Sequence, residues 1–218
     1  MTDDTTDETR DVLPVRRRVL QWFGGLGVVG FFGALLTPIK DLGIAAAGGQ
    51  EIELPGQALV LAEEYSPPDG SESFATGEPV TADMLGEPPE SVLVYPENLV
   101  DNNDYLVRLH NLEPDRIAEP TNLDWVQDGL VAYSAICTHL GCTVGWEEED
   151  DQPPNVSAEL QEGASMLCPC HISSFDPYSG AEVLGGPASR PVPQIGVAVN
   201  ESGAVELTSE FEGEVGSG

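Results

Sequence analysis

The hydrophobic pattern of this chain has two regimes. Residues 19–38 carry no charge and are almost continuously apolar, from Leu20-Gln21-Trp22-Phe23 to Gly33-Ala34-Leu35-Leu36, with glycines interspersed. About 20 residues rising ~1.5 Å each span a hydrocarbon core of ~30 Å. Glycine is common in membrane helices. The run predicts one N-terminal transmembrane helix, an anchor over 19–39. The rival reading is a cleaved signal peptide, with Ala45-Ala46-Ala47 as the small-residue cleavage site. Signal peptides have apolar regions of only about 7–15 residues, so the length favours a retained anchor. Residues 40–50 are small and glycine-rich and read as a flexible tether.

From residue 51 the pattern becomes that of short strands. Apolar and β-branched runs at 58–65, 91–95, 105–110 and 130–136 are separated by Gly, Pro, Asn and Asp. Residues 194–200 alternate Ile195, Val197 and Val199, and 203–208 follow after a turn with Val205 and Leu207. Asp128-Gly129 is a hairpin signal. Stretches rich in Pro, Glu and Gly at 66–90 and 147–163 read as surface loops, and no internal repeat is present. The expectation is an all-β domain over 51–210, followed by an acidic C-terminal tail at 211–218.

Charge adds a second layer. The chain has 38 acidic residues, 8 basic ones and a formal net charge of −30. Beyond Lys40 the only bases are Arg108, Arg116 and Arg190, so the β-rich region carries the whole imbalance. Such a surface repels phosphate backbones and anionic headgroups, which excludes nucleic acid as a partner. An apolar fraction of 40% argues against disorder as the cause. At molar salt the Debye length falls to roughly 3 Å and the self-repulsion is screened. The composition therefore predicts an extreme halophile as the source.

The N-terminus supplies an address. Arg16-Arg17-Arg18-Val19-Leu20 is a twin-arginine pattern. It is also the positive-inside flank expected of a membrane helix. Both readings place 1–18 in the cytoplasm and the β domain on the extracytoplasmic side of the cell membrane.

The chemistry is concentrated in two short segments. Cys137-Thr138-His139-Leu140-Gly141-Cys142 and Cys168-Pro169-Cys170-His171 contain all four cysteines and two of the three histidines. Two Cys and two His suit a tetrahedral zinc. They equally suit a [2Fe–2S] centre with two thiolates on one iron and two imidazoles on the other.

These two segments resemble the cluster-binding boxes of Rieske proteins from cytochrome bc-type complexes. Gly186-Pro187-Ala188-Ser189-Arg190-Pro191 is similar to the proline-rich loop that covers the cluster in that family. The resemblance covers about 130–192, together with the N-terminal anchor. It implies a Rieske-type β-sandwich base carrying an inserted cluster-binding subdomain at about 134–187. It implies that Cys137 and Cys168 bind the buried iron, that His139 and His171 bind the outer iron, and that Cys142 and Cys170 form a disulfide bracing the two loops. His171, with His139 beside it, becomes the residue that accepts a hydrogen bond from quinol. Ser173 takes the place of a serine that donates to a bridging sulfur. Phe175 stands where high-potential members have a tyrosine, which implies a lower potential and menaquinol as donor. Ile172 replaces a usual glycine, and Ser174 is a candidate to compensate. The implied partners are a cytochrome b-type membrane subunit, membrane quinol, and a soluble cytochrome or small copper protein as acceptor. The implied role is the electron-transfer subunit of a quinol oxidoreductase, not catalytically complete alone.

The same residues leave other readings open. One is the Rieske subunit of a different exported oxidoreductase, of the arsenite oxidase type. A component of an aromatic oxygenase fits less well, because those lack the cysteine pair and the anchor. A zinc-stabilised secreted binding module comes from another class altogether. Among the remaining residues, Leu140 reads as an exposed apolar tip, and Arg190 as a holder of loop acids or, equally, a plain surface arginine. His110 reads as a strand-surface histidine, and Trp125 and Trp146 as core or rim aromatics. Asn155-Val156-Ser157 and Asn200-Glu201-Ser202 match the glycosylation pattern.

Overall fold

The computed structural model describes residues 52–148 and 164–217. The twin-arginine segment, the anchor and the tether lie outside them, as does the Asn155 sequon. Among the described residues no helix is long and apolar enough to cross a membrane. The chain divides into units Met1–Ile52 and Glu53–Gly218, and the second is the one described.

Among its described residues that unit has eleven short strands and single-turn 3₁₀ helices. Strands β1 (Leu59–Leu61), β2 (Glu90–Pro96), β3 (Val107–Asn111), β4 (Leu130–Ser134) and β9 (Gln194–Ile195) form a five-stranded sheet in that spatial order. Strands β10 (Val197–Val199) and β11 (Val205–Leu207) form a hairpin. A separate four-stranded meander contains β5 (Gly145–Glu147), β6 (Ser165–Cys168), β7 (Ser173–Asp176) and β8 (Glu182–Gly185). All pairings are antiparallel.

The five-stranded sheet is the middle layer, and strand alternation shows why. Side chains along a strand point to opposite faces in turn. Val107 and Leu109 of β3 join Leu130 and Ala132 of β4, with Val197, Val205 and Leu207 of the hairpin, in one core. Val131 and Tyr133 of β4 point the other way, into a second core with Met166 of β6 and Phe175 of β7. The middle strands are therefore covered on both faces.

This burial corrects one expectation. His110 lies on β3 but is not at the surface: it is fully buried, with its ring 5.0 Å from that of Trp146 and 6.0 Å from that of Tyr133. A strand with one wet face would have exposed it; the β5–β8 layer removes that wet face. Burial, and then the neighbouring Arg108 charge, hold its imidazole well below the ordinary pKa of 6.5. Arg108, on the same face, donates to the Val144 carbonyl at 3.1 Å.

Other boundaries differ for local reasons. The run at 194–200 is not one strand. It changes sheets at Gly196, whose amide donates to Ser209 Oγ and whose carbonyl accepts from Thr208 N, each at 2.8 Å. A Cβ there would lie 2.5 Å from Thr208 Oγ1, so a larger residue would need neighbouring side chains to shift. The 66–90 stretch is not purely a surface loop, since Val80, Met84 and Leu85 enter the first core. Asp128 and Gly129 both have positive φ and form the two-residue turn between bridged Gln127 and Leu130. Strands β5 to β8 have no clear hydrophobic signature, being three or four residues long with Gly, Ser, Asp and Glu interrupting their apolar residues. At the other end, residues 211–217 run back along the domain. Phe211 packs against the first core, and Glu212 N donates to Gln194 O at 2.8 Å.

Candidate metal centre

Two loops carry the cysteine–histidine segments to one place. The first follows β4. It is closed by Cys137 N to Cys142 O and Gly141 N to Cys137 O, both at 2.9 Å, with Gly141 at φ 75° supplying the left-handed turn. The second is the tight connection from β6 to β7, where Cys168 faces Ser173 across the ladder and Ile172 N donates to Cys168 O at 3.0 Å. A disulfide between Cys142 and Cys170 joins the loops, with a Cα–Cα distance of 6.6 Å. The pairing that the resemblance implied is thus present in the structure.

The remaining donors sort by depth. Cys137 and Cys168 are unpaired and buried. His139 is half-buried and His171 exposed. Their rings lie 4.8 Å apart between centroids and nearly perpendicular. His139 Nδ1 is buried with no hydrogen-bond partner among the described residues. An orphaned buried imidazole nitrogen is costly unless something ligates it. The Cys168 thiol is pushed up by burial and by the adjacent Cys137. A bound cation would invert that balance and favour the thiolate of Cys168. The Sγ atoms of Cys142, Cys168 and Cys170 lie within 4.8 Å of one another. Two of those three are bonded to each other, so that trio does not itself hold a metal. The donor set that fits a metal group is two buried thiolates behind two outward imidazoles, with Cys137, Cys168, His139 and His171 available to hold it.

A third loop, residues 186–191, covers the others. Gly186 has φ 85°, and a Cβ on it would lie 2.5 Å from Ser173 Cα and closer still to the Ile172 carbonyl oxygen. Ala188 N donates to Ser173 Oγ at 3.1 Å, which leaves the Ser173 hydroxyl proton for another acceptor. Thr138 Oγ1 donates to the Arg190 carbonyl at 2.7 Å. The Arg190 guanidinium does not hold loop acids, as read from sequence; it donates to the backbone carbonyls of Glu214 and Gly216 at 2.7 and 2.6 Å. Ser174, the candidate to compensate for Ile172, donates instead to Ser165 Oγ at 3.3 Å.

Three further side chains complete the picture. Phe175 is fully buried in the core that also contains Cys137 and Cys168, and it carries no hydroxyl. Leu140 is 61% exposed and Ile172 37% exposed, so the loop tips are apolar. Ile172 has φ 58°, a conformation that is rare for a β-branched residue. Thr138 and Gly186 sit inside the quoted segments, but only their contacts reveal a role.

Comparison with known proteins agrees with this arrangement. The family model for the Rieske [2Fe-2S] domain matches residues 69–196. A Rieske iron-sulfur subunit of the cytochrome bc1 complex from Streptomyces lividans is 42% identical over 105 residues, covering 48% of this chain and 55% of the relative. A Haloferax mediterranei protein, provisionally named respiratory nitrate reductase subunit Rieske, is 31% identical over 180 residues, covering 81% of this chain and 75% of that one. The soluble domain of Rieske protein II from Sulfolobus acidocaldarius superposes with a TM-score of 0.37 at 24% identity, covering 53% of this chain and 66% of that one. The chain spans about half the length of the Streptomyces lividans subunit and 26% of its Streptomyces coelicolor counterpart.

The chain belongs to the Rieske [2Fe-2S] domain family, and its cofactor is a [2Fe–2S] cluster. Within the family it is an electron-transfer protein homologous to the Rieske subunits of bc1 complexes.

Proposed function

We propose that this protein is the membrane-anchored Rieske subunit of a quinol-oxidising respiratory complex, with Cys137, Cys168, His139 and His171 as cluster ligands. The observation that carries this is the imidazole pair of half-buried His139 and exposed His171, set in an apolar rim of Leu140 and Ile172 and backed by two buried cysteines. When bound, the cluster supplies a one-electron acceptor whose potential is raised by replacing two thiolates with imidazoles. His171 is the more exposed imidazole and is placed to accept a hydrogen bond from a quinol hydroxyl and to take its proton. His139, half-buried, is oriented by the Thr138 contact to Arg190. The disulfide keeps the two imidazoles at a fixed separation. Phe175 lacks the hydroxyl that would favour the reduced state, which supports a low-potential donor, menaquinol.

The uncharged run 19–38 and the arginines at 16–18 support an N-terminal anchor and an extracytoplasmic domain. The formal charge of −30 supports a halophilic source. The electron acceptor in this reading is a soluble cytochrome or small copper protein, and a cytochrome b-type subunit presents the quinol. The Haloferax mediterranei relative favours a second reading, a Rieske subunit working with a respiratory reductase.

The test begins with iron, sulfide and EPR analysis of the purified full chain; a colourless zinc protein would end the proposal. Membranes would then be assayed for menaquinol-dependent cluster reduction in wild type and His171→Gln. Reduction that survives loss of His171 would refute its role. Copurification with cytochrome b, or with a large reductase subunit, separates the two readings.

A further inference from the structure

Arg190 is one of only three cations beyond Lys40, yet its side chain binds neutral carbonyls. Its guanidinium reaches Glu214 O and Gly216 O at 2.7 and 2.6 Å. Its own carbonyl accepts from Thr138 Oγ1 at 2.7 Å, and Thr138 stands between Cys137 and His139. One residue therefore ties the C-terminal segment, the covering loop and the first ligand loop together. The C-terminal segment makes its own contacts with the base of that ligand loop. Val215 packs in a cluster with Ala135 and Ile136, the two residues before Cys137. Gly216 is buried against Ile136, where a Cβ would lie 3.4 Å from Ile136 Cγ2.

We infer that residues 213–217 form a strap, buckled by Arg190, that holds the first ligand loop and the covering loop over the cluster. Arg190 is a positioning residue in this role. A guanidinium offers a rigid fork of donors that can bridge two carbonyls at once, whereas an ammonium makes point contacts. Because the acceptors are main-chain oxygens, the Glu214 carboxylate is not needed. Releasing the strap frees the Cys137–Cys142 turn and lets water reach the cluster side. Water stabilises the reduced, more negative state, so the potential rises. The link to potential rests on the ligand set proposed above; the link to loop mobility does not.

The experiment uses the full chain and four variants: Arg190→Met, Arg190→Lys, Glu214→Gln, and a truncation ending at Glu212. The first readout is hydrogen exchange by mass spectrometry over peptide 136–144. We expect Arg190→Met and the truncation to speed exchange there at least tenfold, Arg190→Lys to give an intermediate rate, and Glu214→Gln to match wild type. Exchange in peptides from β3 and β4 stays unchanged. Redox titration of the same proteins shows an upward shift for Arg190→Met. Unchanged exchange at 136–144 would overturn the strap. So would equal loosening of β3 and β4, which would mark a general loss of stability. Glu214→Gln behaving like Arg190→Met would show an ion pair instead of a carbonyl clamp. Altered exchange with an unmoved potential would overturn the link to the cluster while leaving the ligand assignment to the iron and EPR analysis.

Discussion

Replacing Gly186 by alanine tests how closely the covering loop must seat on the second ligand loop. The added Cβ would lie 2.5 Å from Ser173 Cα and 2.7 Å from Ser173 N, and nearer still to Ile172 O. These are backbone atoms, so no side-chain rotation relieves the overlap. Overpacking of this kind costs about 1–3 kcal/mol. Residue 186 also sits at φ 85°, where an L side chain costs roughly 1–2 kcal/mol. Relief by lifting the loop is limited by what holds it, chiefly Ala188 N to Ser173 Oγ and Thr138 Oγ1 to Arg190 O. At about 0.5–1.5 kcal/mol net for each hydrogen bond, lifting the loop costs about 1–3 kcal/mol, as much as the clash it relieves. With the backbone term, the expected loss is therefore about 2–5 kcal/mol. Gly141 is the internal control: it has φ 75°, but a Cβ added there would meet nothing within 4 Å. Its alanine variant should lose only the backbone penalty, roughly 1–2 kcal/mol. Guanidinium denaturation of the full chain, followed by tryptophan fluorescence, gives both values. If the two variants have the same midpoint, the close approach of Gly186 has no energetic weight and the seating argument fails.

Two further outcomes follow from buried groups. His110 is held neutral in the fold and takes up a proton only on unfolding, so stability falls as pH drops through the ordinary value of 6.5 and is unaffected well above it. At one unit below that value the cost is about 1.4 kcal/mol. His110→Leu should remove this dependence, so that wild type loses about that much relative to the variant between pH 8 and 5.5; equal losses would show that His110 is not the titrating group. Phe175→Tyr adds a hydroxyl to the core that holds Cys137 and Cys168, the proposed cluster ligands. At about 0.5–1.5 kcal/mol for one hydrogen bond, and 59 mV for each tenfold change in a one-electron equilibrium, the potential should rise by roughly 20–60 mV in a redox titration. A folded variant with an unmoved potential would remove Phe175 as the cause of a low potential.

The strands that were legible in sequence are those whose residues are apolar on their own account. Val92 and Val94, Val107 and Leu109, and Val131 and Tyr133 all lie where the β-rich runs placed them. Strands β5 to β8 were not legible, because each is only three or four residues long and mixes apolar residues with Gly, Ser, Asp and Glu without a clear alternation. The donor residues were legible for a different reason. Ligand chemistry is carried by residue type, and the spacing within Cys137–Cys142 and Cys168–His171 is local.

The sequence by itself determined the candidate donors, the family it resembles, and a strongly acidic β domain. These depend on side-chain identity and on neighbours a few positions away. Only the tertiary structure decided what surrounds those donors. It buried His110, because a second sheet from later in the chain covers the face of β3 that a lone sheet would leave wet. It seated Gly186 against Ile172 and Ser173, residues 14 and 13 positions away, with no mark in either segment. It also turned Arg190 away from the many carboxylates and onto two backbone carbonyls of the C-terminal segment. A carbonyl has no identity in the sequence, so an interaction that ends on one is visible only when the chain is folded.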